Sequence, residues 1–219
     1  MNDIKLNRIA DYAYSTRETI YNTYFLAKEM IEKEVSGVFV ECGVAAGAQV
    51  MVMKYAIGGG DKKIYAFDSF EGIPLAGEFD TSQPGIGDIE HDKMKPLAER
   101  LVSSGVTVHS KDNVVKNFQS ANISLDNVVF IKGWFQDTLP IHSKGISKIS
   151  LLRLDGDLYE STFVCLKYLY PLVSLGGVVI IDDFALDGAR KAVYDYFENK
   201  IPETITVDGG QGVAYFYKK

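Results

Sequence analysis

LLRLDGDLYEST, residues 151–162, is an apolar segment that runs into two aspartates one residue apart. An isolated buried carboxylate is among the costliest groups to hide, so acids placed where a buried strand stops require a purpose. The same pattern recurs along the chain. GVFVECG (37–43), KIYAFDSF (63–70), NVVFIKG (127–133), ISLLRLDGD (149–157) and GVVIIDDF (177–184) are short, near-continuous apolar runs that close in Gly or an acid. Such runs belong in a sheet covered on both faces. The mostly helical VAAGAQVMVMKYAI separates the first two, and YESTFVCLKYLYPLV the last two. Strand, helix, strand is the βαβ unit of a parallel sheet. The C-terminal TITVDGGQGVAYFYKK instead sets two alternating segments around a Gly-rich turn, as in a hairpin. The expected fold is α/β: a doubly wound, mostly parallel sheet with an antiparallel C-terminal hairpin at its edge.

Two segments lie outside this alternation. Ser15 and Glu18 have capping-box spacing, and Ile20, Tyr24, Ala27 and Ile31 then recur on one face, which predicts an amphipathic helix over 16–34. Leu75 to Lys95 holds Pro84, glycines, several acids and His91 without periodicity; it reads as a long mobile loop of functional use.

The chain has 219 residues, 47% hydrophobic and 24% charged, which suits one domain that folds without disulfides or structural metal. A net charge of -6 argues against nucleic acid as a partner. Cys42 and Cys165 match no metal or redox spacing and are expected as reduced thiols of a cytoplasmic protein. The N-terminus lacks the apolar core of a signal peptide, and no apolar run is long enough to span a bilayer. No membrane partner is expected.

Open α/β sheets bind ligands beyond the carboxyl ends of their strands, near the point where the strand order reverses. Here those ends carry Glu41 and Gly43, Asp68 and Ser69, Gly133 and Trp134, Asp155 and Asp157, and Asp182 and Asp183. Gly43 and Gly47 let backbone approach a ligand where a strand turns into a helix, but they lack the G-x-G-x-x-G spacing of a dinucleotide fingerprint. Asp68 is placed to accept the hydroxyls of an adenosine ribose. A nucleoside ligand with no pyrophosphate fits both facts, and S-adenosylmethionine is one. Asp155, Asp182 and Asp183 converge if their strands are neighbours, and three carboxylates at one point repel unless a cation neutralises them. Oxygen ligands with no His or Cys nearby select Mg²⁺ or Ca²⁺. Asp157 points elsewhere if the strand persists and suits a general base. The alternative is that Asp182 and Asp183 cap the next helix while Asp155 pairs with Arg153 or a lysine.

The chain resembles the macrocin O-methyltransferase family through VECGVAAG (40–47), FDSFEGIP (67–74), IKGWFQDTLP (131–140), LRLDGDLYEST (152–162) and VVIIDDF (178–184), in family order. The resemblance implies a Rossmann-like class I methyltransferase fold for a single domain over residues 1–219; the short N-terminal region and the 75–95 loop do not match the family pattern, and residues 1–36 are expected as a helical lid and 75–95 as a mobile loop over the site. The resemblance also implies O-methylation of a sugar hydroxyl on a glycoside or saccharide with S-adenosylmethionine and Mg²⁺, by an enzyme that can be a homo-oligomer. Asp155, Asp182 and Asp183 match the family's metal ligands, and Asp157 matches its general base. Glu41 and Gly43 match the cofactor loop near the methionine end, Asp68 the ribose acid, and Ser69 and Trp134 the adenine neighbourhood. Asp137 and Thr138, in the FQDTLP turn, match positioning residues.

Ala45 and Ala46 stand where family members commonly carry bulky or basic residues. Three rival classes remain: a catechol-type methyltransferase acting over a flat apolar pocket, a nucleoside- or metal-binding domain without turnover, and a dehydrogenase, which would require tight nicotinamide binding. His91, His109 and His142 read as solvent-facing. Tyr12, Tyr14, Tyr21 and Tyr24 read as a buried stripe or as the wall of a sugar pocket, and Trp134 as core or adenine contact.

Overall fold

The computed structural model describes residues 3–81, 95–202, 206–208 and 212–219. Its centre is a seven-stranded sheet ordered β3-β2-β1-β4-β5-β7-β6. The strands are β1 (Val38–Cys42), β2 (Ile64–Asp68), β3 (Val128–Lys132), β4 (Ile149–Leu154), β5 (Val173–Ile181), β6 (Thr206–Asp208) and β7 (Val213–Tyr217). The first five pair in parallel; β7 runs antiparallel to β5 and to β6. The C-terminal hairpin is therefore the edge, as its alternation predicts, although its turn, 209–211, lies outside the described residues.

Every residue of β4 is buried, which explains why its sequence does not alternate. One face of the sheet is covered by α1 (Ile4–Ala10), α2 (Arg17–Glu32), α3 (Ala48–Ile57) and α4 (Lys111–Ser120). The other is covered by α5 (Phe135–His142), α6 (Tyr159–Leu169) and α7 (Asp187–Tyr196). α2 buries Ile20, Thr23, Ala27 and Met30, spaced as one helical stripe. Fully burying each large aliphatic side chain of this kind contributes about 1.5–3 kcal/mol.

Three local expectations are corrected. The N-cap of α2 is Thr16, whose hydroxyl accepts the Thr19 amide at 3.4 Å, and not Ser15, whose hydroxyl accepts from Gln49 Nε2 at 3.2 Å. Residues 135–140 are not a turn but the body of α5, begun where the Asp137 and Thr138 amides both bond the Trp134 carbonyl at 3.1 and 3.0 Å. β4 stops at Leu154, so the two-residue alternation of a strand does not carry to Asp157. The expected loop over 75–95 falls mainly outside the described residues, which exclude 82–94 and with them His91. Its first residues are described, and they turn around a buried Asp80. Among the described residues no helix is long and apolar enough to cross a membrane.

Candidate active site

Strand order reverses between β1 and β4, and a cavity of about 410 Å³ opens at their carboxyl ends. That volume is in the range of small-ligand sites. Of the residues expected at the site, Gly43, Asp68, Ser69, Trp134, Asp155, Asp157, Asp182 and Asp183 line it. Glu41 is fully buried beneath the strand ends, and Gly47 and Gly133 shape the loops behind the wall.

Arg153, on β4, organises the acids. It is 0% exposed, and its Nη1 donates to Glu41 Oε1 at 2.6 Å and to Asp155 Oδ2 at 2.7 Å, while Nη2 donates to Asp182. The side chain thus ties β1, β4 and β5 together from inside the sheet. Burial pushes Glu41 up to about 8, with Asp155 and Asp182 adding to the shift and Arg153 opposing it. Burial and the charge of Asp182 likewise push Asp155 up to about 8. Burial acts against the guanidinium charge, yet Asp182, Glu41 and Asp155 hold Arg153 well above its ordinary pKa.

Asp183 sits one residue beyond Asp182 and faces a different partner. Its Oδ2 accepts the Asp157 amide at 2.8 Å. Carboxylate oxygens of Asp155, Asp157 and Asp183 lie within 4.8 Å of one another, an arrangement able to hold a cation. Asp157 joins this cluster from the turn after β4, where its backbone adopts φ 58°. Burial, with Asp182 and Asp80 nearby, raises Asp157 to about 6; burial and the three neighbouring acids raise Asp183 well above the carboxylate range. Helix capping does not account for Asp182 and Asp183, since α7 has Leu186 at its N-cap and no side-chain cap. The pairing of Asp155 with Arg153, by contrast, is present alongside the cluster.

Asp68 closes β2 and binds backbone first. Its Oδ2 accepts the Val44 and Ala45 amides at 2.6 and 3.2 Å, and its Oδ1 the Phe70 amide at 2.5 Å. Burial raises its pKa against these three bonds. The carboxylate thereby fixes the Gly43 loop beside the cavity, with its remaining lone pairs available to a ligand. Ser69 is buried and its hydroxyl closes a turn onto the Gly72 carbonyl at 2.9 Å. Gly133 donates to the Asp68 carbonyl at 2.9 Å, and Trp134 follows it in the cavity wall.

Sequence reasoning alone does not find Ser15, Gln49, Ile73 or Gln136, which also line the cavity. Of the N-terminal tyrosines, Tyr12 and Tyr14 reach the wall, and Tyr12, Tyr21 and Tyr24 pack against the core. His109 is bonded to the Tyr14 hydroxyl at 2.7 Å, and His142 is exposed away from the cavity.

The model of the family described as macrocin-O-methyltransferase (TylF) matches residues 11–219. The chain belongs to the macrocin O-methyltransferase family. Among curated relatives of this family, an 8-demethyl-8-(2,3-dimethoxy-alpha-L-rhamnosyl)-tetracenomycin-C 4'-O-methyltransferase from Streptomyces olivaceus is 36% identical over 80% of this chain and 63% of its own length. A demethyldecarbamoylnovobiocin O-methyltransferase from Streptomyces niveus is 35% identical over 83% of this chain and 66% of its own length. The chain therefore spans just under two thirds of each. The solved O-methyltransferase NovP is 30% identical and superposes with a TM-score of 0.76 over 94% of this chain and 82% of its own. The class I O-methyltransferase fold is thus shared.

Proposed function

We propose that the protein is an S-adenosylmethionine- and Mg²⁺-dependent O-methyltransferase that methylates a sugar hydroxyl of a small glycoside or saccharide. The observation that carries this reading is the convergence of Asp155, Asp157 and Asp183 in a cavity that also presents Asp68 and the Gly43 loop. With Asp182, five aspartates line that cavity, and among the described residues Arg153 is the one cation bonded to any of them. That charge imbalance, with oxygen as the sole donor type, fits a hard divalent cation. Asp155 and Asp183 would hold it, with Asp182 contributing the oxygen not engaged by Arg153. When bound, the cation acidifies and orients an acceptor hydroxyl, and S-adenosylmethionine supplies the methyl group.

The remaining work falls to the chain. Asp157 takes the acceptor's proton; in the metal-free protein burial, with Asp182 and Asp80 nearby, raises its carboxyl to about 6, which makes it a stronger base than an ordinary carboxylate. Asp68 holds the Gly43 loop open to the nucleoside and orients the ribose. The Tyr12–Ser15 segment lines the cavity, and its hydroxyls, with the Gln49 and Gln136 amides, place groups able to bond a sugar in a wall that is otherwise largely apolar. The relatives named for a rhamnosyl 4'-O-methylation and for a novobiocin precursor support a natural-product acceptor.

The test is calorimetric titration with S-adenosylmethionine, followed by turnover against glycosides and catechols with Mg²⁺ or EDTA. Cofactor binding with EDTA-sensitive methylation of a sugar is expected. Turnover indifferent to EDTA would refute the metal role, exclusive turnover of catechols the acceptor class, and no cofactor binding the methyltransferase reading itself.

A further inference from the structure

Asp80 lies in the stretch that leads from β2 toward α4, far from the acids in sequence, and is 1% exposed. Its Oδ1 accepts the backbone amide of Tyr159 at 2.8 Å and its Oδ2 that of Gly77 at 2.8 Å. Tyr159 is the first residue of α6, and its N-cap, Leu158, has no side chain able to cap. Asp80 therefore supplies from another part of the chain the carboxylate that a helix start ordinarily takes from its own N-cap.

The slot that receives Asp80 is made by a glycine. A Cβ on Gly188, in the first turn of α7, would stand 1.8 Å from Asp80 Oδ1. Neighbouring contacts seat the same segment: the Phe79 ring lies 4.5 Å from the Tyr159 ring, and the Thr81 hydroxyl donates to Asp187 at 3.0 Å.

The turn that precedes Tyr159 carries Asp157. Its three successive amides are each fixed: Asp157 to Asp183 at 2.8 Å, Leu158 to the Gly156 carbonyl at 2.5 Å, and Tyr159 to Asp80. Of these acceptors, Asp80 alone comes from outside the turn and the acid cluster. We propose that Asp80 is a positioning residue, which holds the Gly156–Tyr159 turn so that the Asp157 carboxylate stays aimed at the acceptor. The proposal rests on the methyltransferase reading above, in which Asp157 is the base. A displacement of about 1 Å at a reacting group can cost as much as 10²-fold in rate, so loss of this anchor should lower kcat by roughly 10- to 100-fold.

Three variants of the full chain test it: Asp80→Ala, which removes the acceptor; Asp80→Asn, which keeps one acceptor oxygen; and Gly188→Ala, which expels the carboxylate while leaving it in the sequence. Asp80→Ala and Gly188→Ala should lower kcat alike, leave the calorimetric Kd for S-adenosylmethionine within about twofold of wild type, and increase hydrogen exchange at the Tyr159 amide. Asp80→Asn should recover part of kcat. Gly188→Ala should cost much less in the Asp80→Ala background than in wild type, because the clash with Asp80 is then gone and only a 3.0 Å approach of the new Cβ to the Tyr159 amide nitrogen remains. Unchanged kcat with lost Tyr159 protection would overturn the proposal, as would additive effects in the double variant. A wild type that binds cofactor but methylates no acceptor would instead overturn the methyltransferase reading, and the role of Asp80 in catalysis with it.

Discussion

Gly43 and Asp155 follow neighbouring strands so closely that a Cβ on Gly43 would lie 1.7 Å from the Asp155 carbonyl oxygen. The glycine has φ 97°, a conformation that side chains rarely adopt, and its amide bonds the Phe67 carbonyl at 2.9 Å. Gly43 therefore serves the acid cluster as much as the loop that lines the cavity: it allows β1 and β4 to end side by side.

Gly43→Ala combines a backbone clash with a strained φ. Each is a mechanism that produces large effects, so a loss of about 4 kcal/mol or more is expected. Urea unfolding checks the loss, and a variant within about 1 kcal/mol of wild type would show that the strand ends can separate cheaply.

The buried Arg153 network makes a second demand. Arg153→Met leaves Glu41, Asp155 and Asp182 without their counter-charge, and breaking a buried pair from one side costs about 3–5 kcal/mol. Removing Glu41 as well, in Glu41→Leu/Arg153→Met, should return part of that loss. Arg153→Lys cannot imitate the wild type, because an ammonium is a point charge without the planar fork that reaches three carboxylates. Denaturant midpoints of the three variants give the comparison. An Arg153→Lys protein as stable as wild type would contradict the bridging role.

Much of this architecture is legible in the order of residues alone. Near-continuous apolar runs separated by helical segments give the parallel sheet, and in such a sheet the strand ends are the site, so Asp68, Asp155, Asp157, Asp182 and Asp183 can be selected by position. What cannot be read is how they divide. Asp157 belongs to a turn beyond the end of β4, with its backbone at φ 58°, a conformation that a strand pattern does not anticipate. Arg153 draws Asp182 away through a contact between strands, where spacing gives no measure of side-chain reach. The capping hydroxyl of α2 passes from Ser15 to the adjacent Thr16 because Ser15 is bonded to Gln49 on another helix. Asp80 is similar: its acid lies in an aperiodic loop, and its slot exists only because Gly188 packs against it.

The acids predict an unusual pH response of the metal-free protein. Glu41 and Asp155 are raised to about 8 and Asp157 to about 6, whereas carboxyls in an unfolded chain titrate near 4. Between about pH 4 and 8 the folded chain thus binds more protons than the unfolded one, and stability falls as pH rises through that window. The metal-free melting temperature should be lower at pH 8 than at pH 6. Added Mg²⁺, binding only the folded state, should narrow the gap by favouring the ionised cluster. Scanning calorimetry with EDTA or Mg²⁺ at the two pH values checks both signs; a gap that Mg²⁺ leaves unchanged would mean that the acids do not receive the cation.

The assignments of Asp157 and Asp183 separate in one experiment. Asp157→Asn removes a base while keeping size and an acceptor oxygen, so kcat should fall by about 10²–10⁴-fold with little change in the Mg²⁺ concentration that gives half-maximal rate. Asp183→Asn removes a negative ligand, and that concentration should rise. The oxygens of Asp155, Asp157 and Asp183 lie near enough for Asp157 itself to be a ligand. In that case Asp157→Asn would raise the Mg²⁺ requirement as Asp183→Asn does, and Asp182, bonded to Arg153, would not be needed to complete the site. Turnover measured against Mg²⁺ concentration for both variants, with direct Mn²⁺ binding as a readout independent of chemistry, decides between a base beside three ligands and a ligand drawn from the turn.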